Sequence, residues 1–284
     1  MDEGALLAGG LGFLEAPRWI DGSLWFSDFY SRRVCSVDDD GNVTQHFYVP
    51  GQPSGLGVQP DGGLLVVSTH DGHILRWDGG RPALLADVGA HYRGGLNDMV
   101  TDRHGRAYVS TFPVPTAHGD VSHEPIAPII LVDTDGSIRT AADGLRVANG
   151  LIITPGGERL IVAETLGARL LAYDIDSNTG DLGDPQVFAD LGTRRPDGIC
   201  LDEGGNVWVG SYATSEFVLV SEGGEVLRCI PTRDRWAVAC VLGGNDGRTL
   251  FGLAMDVSVD SYLDGRGTGN IVTYRVEVPA AKSS

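Results

Sequence analysis

Four oxygen-bearing side chains stand at the same position of a sequence repeat that is about 40–50 residues long. They are Glu15, Asn97, Asn149 and Asp197. Two carboxylates and two carboxamides form a hard oxygen donor set, which suits Ca²⁺, Mg²⁺ or Mn²⁺ better than a zinc-type site built from His and Cys. The set therefore predicts that the protein binds one divalent cation, with Ca²⁺ as the first expectation.

Each of these residues also has an ordinary structural interpretation. Asn-Gly and Asp-Gly are common turn dipeptides, so Asn149 and Asp197, taken singly, are typical of turns. Glu15 fits a solvated loop carboxylate, and Asn97 fits a loop cap. Their shared position within a repeat favours the metal interpretation, because four polar groups facing one channel need a partner.

The repeat itself has six copies. Each copy has a small or polar first residue, which we call the opener, then a short apolar strand, a Gly-rich turn and a second apolar strand. A third strand usually follows. The openers are Glu15, Ser54, Asn97, Asn149, Asp197 and Ala239. This period predicts an all-β fold, a six-bladed β-propeller with four-stranded antiparallel blades that spans residues 1–284 as a single domain. In a propeller, the innermost strands surround a central channel, so openers distant in sequence become neighbours in space.

The N-terminal segment predicts how the ring closes. Ala5–Ala8 carries the same four letters as Ala83–Ala86, the fourth strand of the second copy. The last copy ends at a third strand within 270–278. We therefore expect Ala5–Ala8 to complete the last blade, which removes two sheet edges. The alternative is a coincidence in a sequence rich in Leu and Ala.

Composition excludes several classes of function. Lys and Arg number 21 against 38 Asp and Glu, for a net charge of −17, which disfavours nucleic-acid binding. The sequence has no basic amphipathic helix and no apolar run of about 20 residues, so we expect no membrane association. The acidic N-terminus does not fit a secretory signal. Four cysteines without CxxC or zinc-like spacing predict free thiols and a cytoplasmic location. The oligomeric state is not indicated.

Several motifs together resemble the SMP-30/gluconolactonase/luciferin-regenerating-enzyme family. They are Glu15–Trp19 followed by "LWFSD", then Asn97-Asp98, "VANGLIITPGGERLIVAET" and "RPDGICLDEGGNVWVGSY". The resemblance implies a six-bladed propeller with one divalent ion held by the residues matching Glu15, Asn97, Asn149 and Asp197. The ion is often calcium, with magnesium, manganese or zinc in some members. It also implies hydrolysis of a lactone or related ester, with Asp197 as both a ligand and the general base.

The chain departs from the pattern of the sugar-lactone members at three places. Gly95 stands where those members carry an Arg, and Phe112–Pro115 stands where they tend to carry a substrate-binding acid. The sixth opener, often Asn, is Ala239. These departures favour a less polar lactone or ester over an aldonolactone.

The mechanism that follows from the resemblance has two forms. In the first, the ion polarises the carbonyl group and Asp197 takes a proton from the attacking water. In the second, Asp197 only coordinates the ion, and the ion activates the water. Four residues are candidates for substrate binding: Arg93, Phe112, His118 and Tyr212. His118 lies in an insertion at 113–125, which is either a lid over the channel mouth or a solvated surface loop.

Three other functions stay open. The same metal site could serve a phosphotriesterase-type hydrolase. The protein could also be a non-catalytic calcium- or ligand-binding propeller, although an adaptor does not need four oxygen ligands in its channel. A strictosidine-synthase-like condensation on a similar fold would use no metal, and the intact oxygen set argues against it. The leading hypothesis is a hydrolase whose partner is a small lactone or ester.

Overall fold

A computed structural model describes residues 4–113 and 126–281. These residues form six four-stranded antiparallel sheets. The first strand of each sheet contacts the first strand of the next, and the last sheet returns to the first, so six inner strands line a closed ring. The structure is the predicted six-bladed β-propeller. The predicted insertion at 113–125 lies, from residue 114 onwards, outside the described residues.

The strands are numbered in chain order. The N-terminal strand is β1 (Ala5–Leu11). Blade 1 contains β2 (Leu14–Ile20), β3 (Ser23–Asp28), β4 (Arg33–Val37) and β5 (Val43–Tyr48). Blade 2 contains β6 (Pro53–Val58), β7 (Leu64–Ser68), β8 (His73–Trp77) and β9 (Ala83–Asp87). Blade 3 contains β10 (Leu96–Thr101), β11 (Ala107–Thr111), β12 (Ala127–Val132) and β13 (Ile138–Leu145).

Blade 4 contains β14 (Ala148–Ile153), β15 (Arg159–Glu164), β16 (Arg169–Asp174) and β17 (Gln186–Asp190). Blade 5 contains β18 (Pro196–Leu201), β19 (Val207–Ser211), β20 (Glu216–Val220) and β21 (Val226–Pro231). Blade 6 contains β22 (Trp236–Gly243), β23 (Thr249–Asp256) and β24 (Thr268–Arg275). A short 3₁₀ helix (Val88–Ala90) follows β9, and one α-helix, α1 (Val259–Leu263), lies between β23 and β24.

The apolar core consists of six clusters, one between each pair of neighbouring blades. Strand β7 shows how the sequence produces them. Successive side chains of a strand point to opposite faces, so Val66 packs against blade 1 while Leu65 and Val67 pack against blade 3. All three are fully buried. Middle strands therefore read as continuous apolar runs because both of their faces are covered.

The N-terminal strand closes the ring as predicted. Strand β1 pairs antiparallel with β24, with Ala5 opposite Thr273 and Leu11 opposite Gly269. Blade 6 thus combines three C-terminal strands with one N-terminal strand.

Two other expectations concern the cysteines and membranes. All four cysteines are free thiols, and the sulfurs of Cys200 and Cys240 lie 3.8 Å apart on neighbouring inner strands. Across the two described stretches, every helix is too short or too polar to cross a bilayer.

Candidate metal centre

The inner strands are irregular where the openers stand. In blades 1, 3, 4 and 5 the pairing between the first and second strands is interrupted beside the opener. The interruptions lie between Glu15 and Arg18, Leu96 and Met99, Ala148 and Leu151, and Pro196 and Ile199. A bulge of this kind bends a strand and re-aims its side chains. The side chains of the openers therefore do not follow the regular alternation between the two faces of the sheet.

Glycine after the opener lets the inner strands approach each other closely. A Cβ atom on Gly150 would lie 2.7 Å from the carbonyl oxygen of Asp197, and one on Gly198 would lie 2.7 Å from the Cα of Ala239. Any side chain at these positions would push neighbouring blades apart. Asn149-Gly150 and Asp197-Gly198 therefore form contacts between blades, and are not hairpin turns.

The two amide openers are hydrogen-bonded to each other. Asn97 Nδ2 donates to Asn149 Oδ1 at 3.0 Å. On one side the Ser54 hydroxyl lies 3.5 Å from Asn97 Oδ1, and on the other Asn149 Nδ2 lies 3.5 Å from Thr165 Oγ1. Thr165 in turn donates to the carbonyl oxygen of Pro196 at 2.7 Å. Openers 43 and 52 residues apart in sequence thus meet in one network.

The two carboxylate openers lie in the same electrostatic environment. Burial, together with a smaller effect of the Asp98 carboxylate, raises the pKa of Asp197 to about 8, although a hydrogen bond with Asn149 acts to lower it. Burial likewise raises the pKa of Glu15 well above its usual value, with contributions from the carboxylates of Asp197 and Asp98. Two carboxyl groups that oppose each other's ionisation are a sign of uncompensated negative charge.

A buried ion pair beside the openers was not predicted from the sequence. Arg18 Nη2 lies 3.0 Å from Asp98 Oδ1 and donates to the carbonyl oxygen of Met99 at 2.6 Å. Both residues stand in motifs that carried the family resemblance, but nothing in the sequence paired them. Arg18 is engaged by Asp98. Among the described residues, Glu15 and Asp197 form no salt bridge with any basic side chain.

We call the four openers Glu15, Asn97, Asn149 and Asp197 the hub. Their chemistry fits a divalent cation, because two carboxylates without a counter-charge are accompanied by two carboxamides that can supply neutral oxygens. In residues 4–113 and 126–281, no group of three or more His, Cys, Asp or Glu side chains is arranged to hold a metal. The hub is not such a group, since only two of its four side chains are carboxylates and the other two are carboxamides.

The four predicted substrate-binding residues differ in where they lie relative to the hub. The Asp197 carboxylate adds to the effect of burial in raising the pKa of the Tyr212 hydroxyl. This effect indicates that Tyr212 lies near the hub. The ring of Phe112 lies over Gly95, with Cδ2 3.2 Å from the position that a Gly95 Cβ would take. Arg93 is exposed and, in the described part of the chain, has no hydrogen bond to the hub. His118 lies outside the described residues.

Further aromatic residues lie beside the hub, and the sequence did not predict them. The carboxylate of Glu15 contributes to raising the pKa of Tyr30, after burial, and Glu15 and Asp197 both contribute at Tyr262. Trp236 stacks in a tilted arrangement between Tyr212 and Tyr262, at centroid distances of 5.2 Å and 5.7 Å. No common position in the repeat signals these residues. Tyr262 comes from the helical insertion between β23 and β24.

Two characterised relatives are similar to most of the chain. A 6-deoxy-6-sulfogluconolactonase from Pseudomonas putida is 26% identical over 275 residues, which cover 93% of this chain and 91% of the relative. A pentonolactonase from Haloferax volcanii is 26% identical over 245 residues, covering 84% and 79%.

A solved structure shows the same fold. The crystal structure of a calcium-binding protein, regucalcin, from Agrobacterium tumefaciens superimposes with a TM-score of 0.77 at 19% identity, covering 99% of this chain and 98% of that one. The sequence profile of the SMP-30/Gluconolactonase/LRE-like region matches residues 13–254. The matched span runs from the first blade to the last and includes all four hub residues, and the chain belongs to the SMP-30/gluconolactonase/LRE-like family.

Proposed function

We propose that this protein is a divalent-metal-dependent hydrolase of a lactone or related ester. The observation that carries the proposal is the hub, where Glu15 and Asp197 interact electrostatically, have no basic partner among the described residues, and lie beside two carboxamides. Family relatives named as lactonases support the choice of a lactone as the substrate class.

Glu15, Asn97, Asn149 and Asp197 would hold the cation. A bound divalent cation supplies Lewis-acid polarisation of the substrate carbonyl group. Calcium is the first expectation, supported by the description of the similar regucalcin structure as a calcium-binding protein. Magnesium, manganese and zinc are the alternatives that metal replacement has to test.

Asp197 would act as the general base. Its carboxylate removes a proton from water as the water oxygen attacks the carbonyl carbon. The ring C–O bond then breaks, and the departing oxygen takes up the proton, which gives a hydroxy acid. Asn149 orients Asp197 through their hydrogen bond, and Asp197 is a buried residue, 8% exposed, which limits competition from bulk water for its contacts.

The test is metal replacement on the full chain. After chelation, Ca²⁺, Mg²⁺, Mn²⁺ or Zn²⁺ is added back, and turnover is measured on aldonolactones, alkyl lactones, aryl esters and a phosphotriester. Turnover of a lactone or ester that chelation abolishes and one ion restores supports the proposal. Turnover of the phosphotriester alone would make the protein a phosphotriesterase. Tight ion binding without any turnover would make it a binding protein.

The base assignment is tested separately with Asp197→Asn. We expect turnover to fall by a factor of at least about 10², while ion binding is weakened but measurable. Unchanged turnover in the variant would exclude Asp197 as the base.

A further inference from the structure

Five aromatic side chains form an unbroken series of ring contacts across blades 1, 6 and 5. The rings of Tyr30 and Phe13 lie 5.4 Å apart, those of Phe13 and Tyr262 5.1 Å, those of Tyr262 and Trp236 5.7 Å, and those of Trp236 and Tyr212 5.2 Å. We call Phe13, Tyr30, Tyr212, Trp236 and Tyr262 the aromatic arc. All four contacts are tilted, at distances typical of favourable aromatic pairs.

The arc borders the carboxylate side of the hub. Burial is the main cause of the raised pKa of each of its tyrosines. The second contribution comes from Glu15 at Tyr30 and at Tyr262, and from Asp197 at Tyr212. The strand register gives this placement independently. Pro196, beside Asp197, pairs with Ser211, beside Tyr212. Glu15 pairs with Ser27, three residues before Tyr30. A molecule whose carbonyl group sits at the hub would therefore have this wall beside it.

The arc retains accessible surface, unlike the aromatic residues of the core. Tyr30, Tyr212, Trp236 and Tyr262 are half-buried. Trp208, which packs between blades 5 and 6, is 1% exposed. Ring surface left open next to a polar centre is a surface on which a ligand can stack.

The arc is also held in place before any ligand binds. Tyr262 lies in α1, whose first turn is fixed by a capping box between Ser258 and Ser261. The Tyr30 hydroxyl donates to the carbonyl oxygen of Tyr262 at 3.2 Å, which ties the insertion of blade 6 to blade 1. A wall built this way loses little conformational entropy when a ligand contacts it.

The blade 3 side of the mouth adds another ring. Gly95 supplies no side chain, and its neighbourhood is filled by the Phe112 ring and the Thr69 methyl group, 3.2 Å and 3.8 Å from the position of a Cβ. The space beside Gly95 is thus lined by apolar atoms.

We propose that the aromatic arc makes the enzyme selective for a lactone or ester whose reacting carbonyl group is fused to, or carries, a planar aromatic ring. This inference rests on the proposed hydrolase function and specifies its substrate class. A planar ring can stack on Trp236 and Tyr262 in offset or edge-to-face geometry. A polyhydroxylated lactone stacked on the arc would place hydroxyl groups against ring faces, which are poor hydrogen-bond partners, at a cost in desolvation.

The kinetic test compares three substrates on the metal-loaded protein: a benzo-fused six-membered lactone, the same lactone without the fused ring, and an aldono-δ-lactone. We expect kcat/KM to be highest for the benzo-fused compound, by about tenfold or more. Trp236→Leu should lower that value about tenfold and leave the unfused lactone almost unchanged. Tyr262→Leu serves the same purpose should the first variant not fold. Tyr48→Leu, which removes an exposed ring on the outer strand β5, is the control and should change nothing.

A binding test separates the two proposals. A benzo-fused lactam and its unfused counterpart, which keep the ring shape but resist hydrolysis, are titrated calorimetrically into the metal-loaded protein. Preferential binding of the fused lactam that Trp236→Leu abolishes supports the arc even if no lactone is turned over, in which case only the hydrolase proposal fails. Turnover that favours the aldonolactone, or that Trp236→Leu reduces equally for all three lactones, would overturn the arc and leave the hydrolase intact.

Discussion

Arg18 on the first blade reaches Asp98 on the third, with 3.0 Å between Nη2 and Oδ1. The side chains are only 21% and 10% exposed, and Arg18 spans the position of the second blade to make the contact. The pair neutralises the one carboxylate that raises the pKa of both Glu15 and Asp197. It therefore sets how much negative charge the hub presents to a cation.

Removing Arg18 should be costly. Arg18→Met keeps most of the apolar stem but leaves the buried Asp98 without its charged partner, which typically costs about 3–5 kcal/mol. The free energy of unfolding, measured by urea titration, should fall by that order. Adding Asp98→Asn should restore a substantial part, since it removes the unpaired charge. A single variant as stable as the wild type would show that the pair contributes nothing.

The metal-free protein should lose stability as pH rises from about 4 to about 8. Asp197 has a folded pKa of about 8, against about 3.9 for an unfolded chain. Between these values the folded state binds more protons than the unfolded state, so the free energy of unfolding decreases with pH, by up to about 1.4 kcal/mol per pH unit for one proton. Below about pH 4 the group makes no difference.

Comparison with Asp197→Asn isolates this effect. In the presence of chelator, the variant should be less pH-sensitive than the wild type and more stable at pH 8, because it cannot ionise. With saturating cation the order should reverse, since the wild type alone gains the full binding energy. Thermal unfolding at several pH values, with chelator and with cation, provides all four conditions. Parallel pH curves in chelator would contradict the assignment of the raised pKa to Asp197.

Loss of a carboxamide opener should weaken cation binding selectively. Asn149→Ala removes one oxygen donor and the hydrogen bonds to Asn97 and Asp197. We expect the dissociation constant for the preferred ion to rise by about 10–100-fold, measured by calorimetry. Asn42→Ala, at an exposed turn where the amide contacts Asp38, is the control. Equal affinity in both variants would remove Asn149 from the ligand set.

The glycine after an opener should resist even a methyl group. A Cβ at Gly150 would stand 2.7 Å from the carbonyl oxygen of Asp197, while one at Gly80 would meet no atom within 4 Å. Gly150→Ala should therefore destabilise the protein by about 1–3 kcal/mol and disturb ion binding, because it pushes β14 away from β18. Gly80→Ala should stay within about 0.5 kcal/mol of the wild type. Equal stability of the two variants in urea would contradict the close approach of the strands.

The architecture could be predicted because the sequence repeats it. Each copy carries the same strand pattern at the same phase, and the phase alone places Asn97 beside Asn149. The pairing of the N-terminal strand with β24 was also predictable, since Ala5–Ala8 repeats an outer-strand segment. The repeat is visible in a single sequence because every blade must pack its two faces against neighbouring blades in the same way.

The contacts that break the repeat could not be predicted in this way. Arg18 and Asp98 stand at different distances from their openers, so no common phase connects them. Tyr262 belongs to the helical insertion of blade 6, and Trp236 precedes its opener by three positions. Such contacts depend on how individual blades differ from one another, and these differences are seen only in the three-dimensional structure.

The pairing of β1 with β24 in the last blade has a consequence for biosynthesis. Because Ala5 pairs with Thr273, strand β1 has no partner until translation has reached β24. Until then its backbone donors and acceptors, and the exposed Leu6, are available to any other extended chain. Nascent copies on one messenger could exchange this segment, so chaperone protection during translation matters more for this molecule than for one whose neighbouring strands are all close in sequence.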